Sequence, residues 1–177
     1  MNSRRLFVAT AAAGGAAALA SPFFSLDGAP GNSPSVAPEF IGIDTWLNSA
    51  PLRMADLQGK VVLVDFWTYT CINCLNHLPA IKSWHEKYQD KGLVTVGVHT
   101  PEFAYEKRTK NVQTAIELLG IKHAVAQDNS YGTWRAFNNH YWPAVYLIDK
   151  QGKIVYSHFG EGRYQETEQM IQVLLAQ

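Results

Sequence analysis

The sequence predicts an α/β domain, a central mixed sheet flanked by helices and preceded by an N-terminal extension. Three observations carry this. The 177 residues are 47% hydrophobic, 12% aromatic and 17% charged, which supports one compact core and argues against a disordered chain. The apolar, β-branched run Val61–Val64, within a segment reaching Trp67, is followed by a helical pattern and a second strand-like segment, the β-α-β order of parallel pairing. Near the C-terminus two strand-like segments meet across Gln151-Gly152, a turn that makes them an antiparallel hairpin.

The chain opens on Arg4-Arg5 and an uncharged stretch from Leu6 to Ala20, too short and too rich in Ala and Gly to span a bilayer. Ala18-Leu19-Ala20 is a small-x-small cleavage pattern, so residues 1–20 are expected to be an export signal. Ser3-Arg4-Arg5-Leu6-Phe7 resembles a twin-arginine signal, with an ordinary secretory signal as the alternative. Cleavage after Ala20 would remove two of the 15 Lys+Arg and none of the 15 Asp+Glu, leaving a near-neutral, soluble protein that is periplasmic or otherwise exported. Residues 21–38 hold Pro22, Pro30, Pro34, Pro38, Gly28 and Gly31, a composition suited to an extended tether; the domain is expected over 39–177. Neither net charge nor any basic run provides a footprint for nucleic acid.

Within the domain, a short apolar segment around Phe40–Leu47 precedes the Val61–Trp67 strand, the candidate sheet centre. Cys74, Leu78, Ile81, Trp84 and Tyr88 fall at helical spacing, and Val94–His99 returns to strand composition. Val112, Ala115, Ile116 and Leu119 define a second helix, with Gly120 placed as its C-terminal cap. A short strand near Ala124–Ala126, a short helix over Tyr131–Phe137, and strands at Ala144–Asp149 and Ile154–Ser157 follow. Met170, Ile171, Leu174 and Leu175 form the apolar face of a closing helix.

Cys71 and Cys74 are the only cysteines, and this C-x-x-C lies between a buried strand and a helix. There the Cys71 thiol faces free helical N–H groups and the positive end of the helix dipole. Such thiols drop from about 8.5 to roughly 3.5–7.5, which makes Cys71 the expected attacking sulfur and Cys74 the resolving one. A permanent staple is the structural alternative, but a bridge across so short a loop constrains the unfolded chain little. Zinc or copper(I) on Cys71, Cys74 and His77 is a further reading; no fourth ligand is evident. Haem attachment needs His after the second Cys, and position 75 is Leu.

Val64-Asp65-Phe66-Trp67-Thr68-Tyr69-Thr70-Cys71-Ile72-Asn73-Cys74, with Pro79 beyond it, resembles the active-site stretch of the thioredoxin superfamily. Trp142-Pro143-Ala144-Val145-Tyr146-Leu147-Ile148-Asp149 resembles that family's cis-proline loop and the strand after it. Trp67–Cys74, His99-Thr100-Pro101-Glu102-Phe103 and His158-Phe159-Gly160-Glu161-Gly162 are most similar to the exported thioredoxin-like domain of DipZ-type proteins, with TlpA as a further relative. The resemblance covers roughly 39–177. It implies a thioredoxin-like fold, a thiol:disulfide oxidoreductase needing no cofactor beyond its own Cys71-Cys74 disulfide, and cysteine-containing extracytoplasmic proteins as partners. A CcdA/DsbD-like membrane electron carrier is the implied donor. Pro143 is implied to be cis, although X-Pro bonds are mostly trans, and Trp142 and Trp67 are implied to flank the substrate.

Asp65 lies in an otherwise apolar strand; desolvation would raise its pKa, suiting it to accept the Cys74 proton, while the plain alternative is a polar strand end with backbone partners. His77, where TlpA- and ResA-type relatives often carry Glu, is either a proton shuttle beside Cys74 or an idle surface histidine. Glu102 is read as a shuttle candidate or, on spacing, as a loop or helix-start carboxylate. His99, His123, His140 and His158 share no metal-ligand spacing. Thr68-x-x-Cys71 motivates a peroxiredoxin-like thiol peroxidase as an alternative, weakened by Val64 where that family has Pro. A copper chaperone is the non-enzymatic alternative.

Overall fold

The computed structural model describes residues 35–177. The expected export signal over 1–20 and most of the expected tether over 21–38 lie outside the described residues. Seven strands form one sheet, β1 (Ser35–Val36), β2 (Thr45–Leu47), β3 (Val61–Trp67), β4 (Leu93–His99), β5 (Ala124–Gln127), β6 (Ala144–Ile148) and β7 (Lys153–Phe159). Their order is β1-β7-β6-β3-β4-β5-β2. β3, β4 and β5 run parallel, and the remaining pairings are antiparallel, so the sheet is mixed.

All of β3 is buried, as its continuous apolar run requires of a central strand covered on both faces. On one face α1 (Ile72–Tyr88) and α4 (Tyr164–Ala176) lay Ile81, Trp84, Tyr88, Ile171 and Leu174 against Val61, Leu63, Val145 and Leu147. α2 (Thr109–Leu119) extends that layer, with Val112 and Ile116 beside Trp67, Cys74, Leu78 and Val125. On the opposite face Val62, Val64, Phe66, Val96, Val98 and Tyr146 meet Trp134 and Phe137 around α3 (Gly132–Ala136). Each fully buried side chain of this size stabilises the fold by about 1.5–3 kcal/mol before entropy is counted. Gly120 ends α2 with φ 62°, the left-handed conformation expected of a C-terminal cap.

One boundary differs from the sequence expectation. Ser35 and Val36, placed in the tether, pair with Ile154 and Lys153 of β7, and the Ala37 N–H donates to the Gly152 carbonyl at 2.8 Å. A two-residue strand carries no periodicity of its own; the free edge of β7 creates it. The 3-10 turns at Met54–Leu57, Gln89–Lys91 and Ala104–Lys107 are likewise set by their surroundings.

Candidate active site

α1 begins directly after β3 at the carboxyl end of the sheet's central strand, and Cys71 is its N-cap. The Cys71 Sγ accepts the Cys74 N–H at 3.2 Å, so the sulfur occupies the capping position that a Ser or Asp oxygen takes in other helices. Cys71 and Cys74 are joined as a disulfide, with Cα atoms 5.2 Å apart. Cys71 is half-buried and Cys74 is 4% exposed, so a partner can reach only the first sulfur freely. Ile72, 67% exposed, stands beside it.

Asp65 sits on the β3 face covered by α1, between Leu63 and Trp67 in the alternation of that strand. Burial pushes its carboxyl up to about 7, and its Oδ1 has no hydrogen-bond partner among the described residues. Its neighbours across the sheet are Val145 on β6 and Gly97 on β4, neither of which can neutralise a charge. The Trp142-Pro143 peptide is cis. Trp142 is half-buried, its ring tilted at 36° against Trp134 with centroids 4.1 Å apart, and its Nε1 donates to the Thr100 carbonyl at 3.1 Å.

Several sequence expectations are corrected here. Trp67 is 3% exposed and packs beneath α1 and α2, so it supports the site from below and offers no surface to a substrate. The alternation of β3 turns it to the same face as Asp65. His77 is not a surface histidine: it is 1% exposed, lies 5.4 Å from the Tyr164 ring and 6.0 Å from the Trp84 ring, and burial followed by the nearby His158 pulls it down to about 4. It is therefore neutral at neutral pH and cannot titrate there. Glu102 is exposed, and it serves the site through its backbone N–H rather than its carboxyl.

That N–H points to the carboxylate the sequence reading missed. Glu106 is fully buried; its Oε2 accepts the N–H of Glu102 at 2.6 Å and of Phe103 at 2.9 Å, while its Oε1 accepts the Thr70 hydroxyl at 2.5 Å. Burial opposes its ionisation, but hydrogen bonds from Thr68, Thr70 and the Phe103 and Glu102 backbone together hold the carboxyl below its usual range. The available signal was Phe103-x-x-Glu106, the spacing by which a third helical residue returns to its N-cap.

Thr68, which motivated the peroxidase alternative, is fully buried with its hydroxyl 3.3 Å from His99 Nε2. Among the described residues no group of three or more His, Cys, Asp and Glu side chains could hold a metal ion. Among them, too, no helix is long and apolar enough to cross a membrane.

Residues 35–157 match the AhpC/TSA family model. Protein DipZ of Mycobacterium bovis is 47% identical over 142 residues, which cover 78% of this chain and 20% of DipZ, so the chain spans about a fifth of that relative's length. The thiol-disulfide oxidoreductase YkuV of Bacillus subtilis is 28% identical over 140 residues, covering 79% of this chain and 94% of YkuV. The crystal structure of a thiol-disulfide isomerase from Corynebacterium glutamicum superposes with a TM-score of 0.71 at 25% identity, covering 80% of this chain and 97% of that one. With Cys71 capping the first helix of a thioredoxin-like fold and bonded to Cys74 within it, this chain belongs to the AhpC/TSA family, on the fold that its thiol:disulfide oxidoreductase relatives share.

Proposed function

We propose that the chain is an exported thiol:disulfide oxidoreductase that exchanges its Cys71-Cys74 dithiol or disulfide with cysteines of extracytoplasmic proteins. The observation that carries this reading is the placement of one accessible sulfur at the N-cap of α1 and one buried sulfur a turn further on. In the reducing direction the Cys71 thiolate attacks one sulfur of a partner disulfide; that bond breaks, the partner's other sulfur leaves as a thiolate, and a mixed disulfide forms. Cys74 then gives up its proton, for which Asp65 is the acceptor in this reading, and attacks the Cys71 sulfur. The partner departs as a second thiolate, and its two electrons come from the Cys71-Cys74 pair, which ends as the disulfide. The same steps in reverse oxidise a partner dithiol. The pair is itself the redox group, with no other cofactor.

The cis Trp142-Pro143 bond and the half-buried Trp142 support docking of an extended partner segment beside Cys71. Export by the twin-arginine route rests on Arg4-Arg5 and Ala18-Leu19-Ala20, and a CcdA/DsbD-like membrane carrier is the proposed electron donor.

The test is the Cys74→Ser variant. Attack by Cys71 survives, resolution does not, and covalent complexes with partner proteins should accumulate and dissolve on adding reductant, whereas Cys71→Ser should trap none. Trapping by Cys71→Ser instead of Cys74→Ser would reverse the roles.

A further inference from the structure

The loop that delivers Cys71, Thr68-Tyr69-Thr70, would be free to move if only the chain held it. It is held from the side. Glu106, in the turn after β4, accepts the Thr70 hydroxyl at 2.5 Å, one residue before the nucleophile, and at the same time the N–H groups of Glu102 and Phe103 in its own turn. Tyr69 stacks on His99 with ring centroids 5.6 Å apart, and its hydroxyl donates to the Tyr105 carbonyl at 3.4 Å. The Thr68 hydroxyl lies 3.3 Å from Nε2 of the same His99. A fully buried carboxylate with this many donors is costly to bury and costly to remove, because every donor would be orphaned at once.

We propose that Glu106 is a positioning residue for Cys71: its carboxylate fastens the loop before the nucleophile to the turn after β4, and its negative charge sets how readily the Cys71 thiol ionises. The inference rests on the oxidoreductase reading for its purpose. The groups that face the Glu106 carboxylate are Thr68, Tyr69 and Thr70 from the β3–α1 loop, His99 from β4 and Tyr131 from the segment before α3; exposed Arg108 lies near Tyr69. Burial keeps His99 neutral at neutral pH, and both tyrosines, raised by burial, are uncharged there too, so none of the three cancels the carboxylate. Near Cys71 the other ionisable groups are Asp65 on β3, His77 on α1, and exposed Glu102 and Glu161, the last bonded to Asn76, while Lys82, His85, Glu86 and Lys87 lie in the later turns of α1. The helix N-terminus stabilises a thiolate; a carboxylate bonded to the side chain of the residue before Cys71 opposes it. Glu106 thus restrains the dipole's effect, keeping Cys71 from becoming so stable a thiolate that it is a poor nucleophile and too good a leaving group.

The two roles separate by sign. In the reduced full chain carrying Cys74→Ser, so that one thiol titrates, the pH dependence of iodoacetamide alkylation reports the Cys71 midpoint. Glu106→Gln removes the charge and should lower the midpoint by about 0.5–1 pH unit, while Glu106→Asp, which keeps it, should leave it near that of the parent. A residue that merely holds the loop would give the opposite result, since a loosened helix start stabilises the thiolate less. An unchanged or raised midpoint in a folded Glu106→Gln protein overturns the proposal. Should that variant fail to fold, Thr70→Val tests the fastening on its own: it keeps the charge and cuts the tie, and the midpoint should rise by a few tenths of a unit, an unchanged value overturning the proposal. Alkylation needs no protein partner, so a chain that shows these shifts yet exchanges no disulfide would refute the oxidoreductase reading alone.

Discussion

Asp65 is an acid whose proton is held by burial alone. In the unfolded chain it titrates near 3.9, and in the fold at about 7. A folded pKa above the unfolded one means that the folded state holds the proton more tightly. The stabilisation is complete below the unfolded value and is lost as pH rises through the folded one, at about 1.4 kcal/mol per unit and roughly 4 kcal/mol over the whole window. Asp65→Asn, which cannot ionise, should therefore be more stable than wild type at pH 8 by a few kcal/mol in urea unfolding, with little gain at pH 4, while release of the mixed disulfide slows. Equal stability at both pH values would show that Asp65 is solvated. Residue type and spacing made Cys71, Cys74 and Asp65 legible, because a thiol pair at a helix start and a carboxyl in an apolar strand are anomalies visible in one dimension. Glu106 and the burial of His77 were not, because a single acidic or basic residue in a polar stretch looks solvated until a neighbouring turn closes over it.

At the scale of elements, the packing of α3 is set by a close approach of two backbones. A Cβ at Gly132 would stand 2.3 Å from the Ile41 carbonyl oxygen and 2.9 Å from its carbon, both backbone atoms that cannot swing away. The same contact is secured by Thr133, whose Oγ1 accepts the Ile41 N–H at 2.8 Å and lies 3.1 Å from the Ile41 carbonyl oxygen. Gly132→Ala should thus push the segment before β2 off α3 and cost about 2–4 kcal/mol. The midpoint of urea unfolding measures it, and a loss below roughly 0.5 kcal/mol would mean that the segment yields freely. Long elements announced themselves: the apolar run of β3, the helical spacing from Cys74 to Tyr88, and Gly120 after α2 each carry a signal within their own residues. β1 and the 3-10 turns at Met54–Leu57 and Ala104–Lys107 do not, since the β7 edge and the hydrogen bonds of Glu39 and Glu106 make them.

Over the whole molecule, three buried histidines set the acid limit of the fold. Desolvation brings His77 and His99 down to about 4 and His123 to about 3, the last assisted by His85 and Lys82 nearby. Both ring nitrogens of His77 and of His123 are without hydrogen-bond partners among the described residues, so a proton there gains nothing from the fold. Here the sign is the reverse of Asp65. A folded pKa below the unfolded value of about 6.5 leaves stability intact above 6.5 and removes it as pH falls toward the folded value. Near pH 5.5 the unfolded chain binds almost three more protons at these histidines than the folded one, and Asp65, protonated in the fold and ionised when unfolded, returns one. The balance of about two protons predicts that unfolding free energy falls by roughly 2–3 kcal/mol for each unit of acidification around pH 5.5, and levels off above pH 7. Urea titrations between pH 4.5 and 8 measure the slope directly. His123→Leu should lower it by close to one proton, whereas a slope near zero in wild type would mean that the histidines open to water and charge without unfolding the sheet.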